Sequence, residues 1–163
     1  MNNMPGGGRV AAVEQFRLAR RKAELRSMLS KLKRAGESEE LLVFDDVRRT
    51  LNLAHPNVRR LDNIPLDAIV GSVNRYHDFN RKFYPLSDSD EDRWARVKEL
   101  METRGLEPIE VYQIGEVYFV LDGNHRVSVA RQLEAKSIEA YVTEFRTNVE
   151  ITPDDKIQDV VLK

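Results

Sequence analysis

The chain has 163 residues, of which 41% are hydrophobic and 33% charged, with a formal net charge of −1. That length suits one domain with a helical appendage, a modest core under a very polar surface. It holds no cysteine, which excludes disulfides, thiolate metal centres, cysteine nucleophiles and thiol redox chemistry. No apolar run approaches the roughly 18–20 residues that span a bilayer, so a cytoplasmic protein with no membrane partner is expected.

The N-terminus, MNNMPGGGRV, lacks an apolar signal core, and residues 1–9 read as a flexible leader. Residues 11–34 predict one long helix, stopped by Gly36. Residues 9–34 carry nine basic and two acidic groups, so this segment is +7 and the remainder −8. Two readings follow. The basic helix docks on an acidic body, or it faces a nucleic acid such as DNA. Leu18, Leu25 and Leu32 recur every seven residues, with Met28 and Leu29 between the last two. That seam predicts either a homo-oligomer through the helix or a single stripe packed on the body.

Residues 37–53 predict a second helical region, with Asp45 or Asp46 as its cap and Val47, Leu51 and Leu53 as apolar contacts. His55-Pro56 ends it, since the residue before proline avoids helical geometry. Residues 1–56 therefore read as a helical N-terminal extension, 57–147 as the main domain and 148–163 as a loosely packed tail.

Within the main domain, residues 58–64 predict a strand and 65–70 a short helical turn. Residues 71–85, GSVNRYHDFNRKFYP, are polar, aromatic and aperiodic, a length of irregular chain that is often functional. Residues 87–104 predict a helix, with Ser87 as cap, acidic residues in the first turn and Gly105 as its stop. Its buried stripe is Trp94, Val97, Leu100 and Met101. Residues 108–113 and 117–121 predict a hairpin turning at 114–116. A helix over 125–133 and a strand over 138–145 complete the domain.

The junction LDGNHRVSVARQ (121–132) carries the chemistry. An apolar strand ends at Asp122-Gly123-Asn124 and a helix begins. The first turn of a helix leaves backbone N–H groups without partners at the positive end of its dipole. Glycine lets the chain turn sharply and lets an anion approach. His125 and Arg126 add donors, and the arginine fork suits phosphate. The sum is an anion site whose usual guest is phosphate, with Asp122 placed to orient His125. The alternative is structural: Asp122 or Asn124 caps the helix, and His125 and Arg126 face solvent. In GSVNRYHDF, Ser72, Arg75, His77 and Asp78 fall close together. Arg75 and Arg81 would meet phosphates and Asp78 would take a proton or a metal; or the loop is a charged surface held by Tyr76 and Phe79. Nothing has zinc-ligand spacing.

The order of segments from Ile64 to Phe145 resembles the ParB N-terminal/sulfiredoxin-like superfamily. IPLDAI resembles its opening segment, GLEPIEVY its "G-x-x-x-P-I-x-V" strand, and YFVLDGNHRVSVARQLEAKSIEAYV its "D-G-x-x-R-x-x-A-x-x-x-G" signature and last strand. The likeness covers about half the chain and leaves residues 1–55 outside. It implies an α+β fold, a small mixed sheet with packed helices, preceded here by the helical extension. Members include CTP-binding segregation proteins, sulfiredoxins, a free-serine kinase and nucleases. The resemblance implies a phosphate role for Gly123, Asn124, His125 and Arg126, joined by Ser72 and Arg75. It implies a nucleotide, CTP or ATP; with Mg²⁺ and slow hydrolysis or phosphotransfer, the catalytic candidates read from the residues are Asp78 as acid or base and Asp122 orienting His125. The alternative is a non-enzymatic regulatory or DNA-associated protein acting through the basic helix.

The departures are specific. Asn124 stands where sulfiredoxins need a cysteine, which excludes that activity. The kinase's catalytic glutamate falls at Val73 or Asn74, with Asp78 the nearest carboxylate. Only 18 residues follow Phe145, so the helix-turn-helix domain of the segregation proteins is not expected.

Overall fold

Strand alternation is strongest in 138–145, where Ile138, Ala140 and Val142 point one way and are buried. This segment forms β6 (Ser137–Phe145), and the sheet assembles around it and its neighbour β4 (Ile109–Ile114). The computed structural model describes residues 7–32, 39–53 and 55–155, with side chains described through Leu29 in the first of these stretches. It shows an α+β domain with a six-stranded mixed sheet, the fold class expected from the sequence.

Along the chain come α1 (Gly7–Leu32), β1 (Leu42–Val43), α2 (Phe44–Leu51), β2 (Arg60–Pro65), β3 (Ile69–Ser72), α3 (Glu91–Arg104), β4, β5 (Val117–Asp122), α4 (Asn124–Gln132) and β6. The sheet order is β1-β3-β5-β4-β6-β2. The β4–β5 hairpin and the β2–β6 pair are antiparallel; the other pairs are parallel. One face packs Ile64, Ile109, Val111, Val120 and Val142 against Val127 and Ala130 of α4. The other packs Val70, Val117 and Phe119 against Phe44 and Val47 of α2 and against Ile151. Above α3 and α4 lies α1, joined to them by Phe16, Ala19, Trp94 and Val129.

Several expectations need correction. The helix α1 starts at Gly7, so residues 7–9 belong to it rather than to a flexible leader. Its buried face is Ala12, Phe16, Ala19 and Ala23, while Leu18, Leu25, Met28 and Leu29 are 43–62% exposed. Alanines let α1 lie close to α3, and Phe16 supplies the contact area; the leucine seam faces away. Gly36 and the side chain of Leu32 lie outside the described residues. Arg9 pairs with Asp92, Arg20 with Asp88 and Arg26 with Glu39, so these cations of α1 are bound to acids beyond it in the chain.

Residues 42–43 are a strand rather than helix, because the buried Leu42 completes the sheet beside β3. Neither Asp45 nor Asp46 caps α2, and the helix ends at Asn52, in the left-handed region at φ 48°. The strand expected at 58–64 lies at 60–65, on the sheet edge, where Arg60 is half-buried. Only 66–68 of the expected turn is helical. Ile69–Ser72 is a wholly buried strand between β1 and β5, too short to show a period. Within it, a Cβ on Gly71 would stand 2.3 Å from the Leu42 carbonyl and 2.5 Å from the Phe119 ring. Only glycine admits that approach.

Ser87 does not cap α3; its hydroxyl meets that of Ser89 at 2.7 Å, and a short 3₁₀ turn precedes the helix. Leu100 is 45% exposed, whereas Ala95 and Lys98 are buried beside Trp94. The expected loose tail is partly anchored, since Ile151 is buried against Ile114 and Val117.

Candidate phosphate-binding site

Parallel neighbours β3 and β5 run toward the same end of the sheet, with Ser72 opposite Val120, and the chain continues from β5 through Asp122 and Gly123 into α4. The chain leaves β5 through Gly123, at φ 108° and ψ 24°. A Cβ there would stand 2.5 Å from Ile109 Cγ2 and 2.9 Å from Ile109 Cβ. Glycine is required twice, by the dihedral and by the packing. Helix α4 has no side-chain cap. Its first backbone N–H inside the helical ladder is that of Val127, which donates to the Gly123 carbonyl at 3.0 Å. The N–H groups of Asn124, His125 and Arg126 precede that ladder, at the positive end of the dipole.

Asn124 is buried and its Oδ1 accepts from the Ser72 hydroxyl at 2.8 Å. The same hydroxyl oxygen accepts the Arg75 N–H at 3.1 Å. Asn124 Nδ2 reaches toward Asn74 Oδ1 at 3.4 Å. Ser72 and Asn124 thus latch the loop after β3 to the first turn of α4. Arg75 and Asp78 pair at 3.0 Å, and Phe79 anchors the loop in the core, with Tyr76 packed against it.

His125 is 5% exposed, and its ring stands edge-on to Phe79 with centroids 5.3 Å apart. Its Nε2 is buried with no hydrogen-bond partner, and the nearest carboxylate oxygen, Asp90 Oδ2, lies 3.7 Å away, beyond a hydrogen bond. Asp90, from the turn before α3, therefore occupies the place expected of Asp122. Burial lowers the pKa of His125 below the usual histidine value of 6.5, opposed by Asp90 and assisted by Arg93 and Arg75.

A depressed folded-state pKa means that the unfolded chain binds the proton more readily. The stability held above about pH 6.5 is then lost as pH falls through the folded value. We expect the melting temperature to drop on acidification from pH 7 to 5. In His125→Gln that dependence should flatten; an unchanged slope in differential scanning calorimetry would contradict the assignment.

Arg126 is directed differently from expectation. Its Nη1 donates to the carbonyls of Glu107 and Pro108, both at 2.9 Å, and its Nη2 to Asp122 Oδ2 at 3.1 Å. It clamps the approach to β4, and Asp122 is its partner rather than that of His125. Beside it runs a groove of about 280 Å³ floored by Val97, Leu100, Met101 and Leu106.

The structure thus joins Ser72, Asn124 and the backbone around Gly123 directly. It adds Arg75 to their hydrogen-bond network through its main chain and sets Arg126 and Asp122 against each other. Asp90 and Arg93 were missed. In the sequence they are two members of the run SDSDEDR, which reads only as favourable charge at a helix start. Among the described residues, no three His, Asp or Glu side chains gather as a metal site, and no helix is long and apolar enough to cross a membrane.

No family model and no curated protein sequence matches the chain. Among solved structures it is similar to sulfiredoxin from Arabidopsis thaliana, at 18% identity and a TM-score of 0.41, over 53% of this chain and 88% of that one.

Proposed function

We propose that the turn from Asp122 to Arg126 binds the phosphates of a nucleoside triphosphate, CTP or ATP. The observation that carries this reading is the start of α4. The helix is uncapped, it is entered through a left-handed glycine, and its first turn holds a buried imidazole with an unpartnered nitrogen. Arg93 and Arg75 act on that imidazole as positive charges against the Asp90 carboxylate, and the helix start itself favours an anion. The apolar groove beside Arg126 offers a base a wall to lie on. Asp78 and Asp122 are each engaged by an arginine, so Mg²⁺ would arrive on the nucleotide and be held mainly by its phosphates. Asn124, latched to Ser72, supports gripping rather than covalent chemistry.

A thermal-shift titration tests this. At ten times Kd, CTP or ATP with Mg²⁺ should raise the melting temperature by about 3–5 °C. Arg93→Ala, at an exposed position, should weaken the response without lowering the ligand-free melting temperature. Arg126→Ala should abolish the response and lower the ligand-free value too, because the loop clamp is lost. Absence of any shift with either nucleotide at about 5 mM, well above ordinary nucleotide affinities, would refute the proposal.

A further inference from the structure

Phe79 also lines a second cavity, about 370 Å³, between α1, residues 39–43 and the loop 76–86. Its N-terminal wall is fixed to the loop. The Arg81 N–H donates to the Glu39 carbonyl at 2.6 Å, and Arg81 Nη1 donates to that of Glu40 at 3.2 Å. Apolar surface comes from Ala23, Val43 and Leu86.

Asn80 lines this cavity and is 4% exposed. Its Oδ1 accepts the N–H groups of Lys82 and Tyr84, both at 3.0 Å. The amide therefore cannot flip, because the reversed orientation would set its NH₂ against two other donors. That leaves Nδ2 buried without an acceptor, a state that costs about 1–3 kcal/mol unless something fills it. Among the described residues, the charged side chains of the lining are Glu39 and Glu40, with His77 beside them. Glu39 is held by two bonds from Arg26, at 3.1 and 3.0 Å, while Glu40, at the exposed rim, has no cationic partner among the described residues.

We infer that this cavity binds a small organic ammonium compound with an apolar body and a carbonyl oxygen. The ammonium would face Glu40, the body would lie against Val43 and Leu86, and the carbonyl would accept from Asn80 Nδ2. Anions are disfavoured by Glu40. The volume lies within the range of small-molecule sites. The inference does not rest on the phosphate reading, because none of these groups belongs to the α4 turn.

The test uses the full chain and two probes of matched side chain. L-Leucinamide carries the ammonium, the isobutyl group and a carboxamide oxygen. N-Acetyl-L-leucine keeps the isobutyl group but is an anion without an ammonium. Titrated by calorimetry to about 10 mM, a range that reaches millimolar Kd, leucinamide should bind saturably and acetyl-leucine about tenfold more weakly. Glu40→Gln should weaken leucinamide about threefold, as for an exposed ion pair. Ser27→Trp, on the exposed side of α1 at the cavity wall, should abolish binding while the far-UV dichroism stays unchanged. Equal affinity for the two probes, binding indifferent to both substitutions, or no saturable heat from leucinamide would each overturn the inference. The last outcome would leave Asn80 hydrated by a trapped water.

Discussion

Replacing Trp94 with alanine is expected to destabilise the protein by about 4 kcal/mol or more. Trp94 is fully buried, packs edge-on to Phe16 with ring centroids 5.7 Å apart, and donates from Nε1 to the Ser128 hydroxyl at 2.8 Å. One side chain on α3 therefore holds both α1 and α4. Truncation removes the aromatic volume and also leaves the buried Ser128 hydroxyl without its donor, itself a cost of about 1–3 kcal/mol. Small domains are stable by roughly 5–15 kcal/mol in all, so the variant should sit near the edge of folding. Trp94→Phe separates the two contributions. It keeps most of the contact with Phe16 and loses the hydrogen bond, for an expected loss of about 2 kcal/mol. Urea unfolding followed by far-UV dichroism measures both. Equal losses for the two variants would show that the hydrogen bond, not the packing, ties the helices together.

Legibility in the sequence depends on the kind of signal. Trp94 is legible as core because a large aromatic on a well-bounded helix has few alternatives. The hairpin β4–β5, the helix after Gly123 and β6 were legible because alternation, a turn glycine and a change of period coincide within a few residues. In α1 the leucines promised the buried face and the alanines held it. Hydrophobicity marked Leu18 and Leu25, but close approach to α3 selects small residues around Phe16, and that selection depends on the partner helix. Strands β1 and β3 are not legible for a related reason. Two and four residues cannot display a period, and their identity as strands comes from the neighbours they pair with.

The site was legible as a turn but not as a network. Local spacing pointed from Asp122 to His125, yet Asp122 lies against Arg126 and a carboxylate about thirty-five positions upstream, Asp90, faces the imidazole. The Ser72–Asn124 bond spans the gap between two parallel strands. Only the sheet order brings such groups together, and no motif within one segment encodes it. Arg126 illustrates the same limit: its residue type suits phosphate, while its position beside the carbonyls of Glu107 and Pro108 gives it a structural task as well.

That double use makes Gly123→Ala the most informative substitution at the turn. At φ 108° a non-glycine residue costs about 1–3 kcal/mol in the backbone. The added methyl would lie 2.5 Å from Ile109 Cγ2, and crowding of that kind costs about another 1–3 kcal/mol. The expected total is about 2–6 kcal/mol, with loss of any nucleotide-induced shift because the first turn of α4 is displaced. The packing share can be isolated by repeating the substitution in an Ile109→Ala background. Removing Cγ2 should relieve part of the clash, so Gly123→Ala should cost about 1–2 kcal/mol less there than in the native chain. If the two substitutions were additive, the steric argument would fail and the backbone dihedral alone would account for the glycine. Recovery of stability in the double variant without recovery of the nucleotide shift would show that phosphate binding needs the turn's own conformation, beyond the room that Ile109 leaves it.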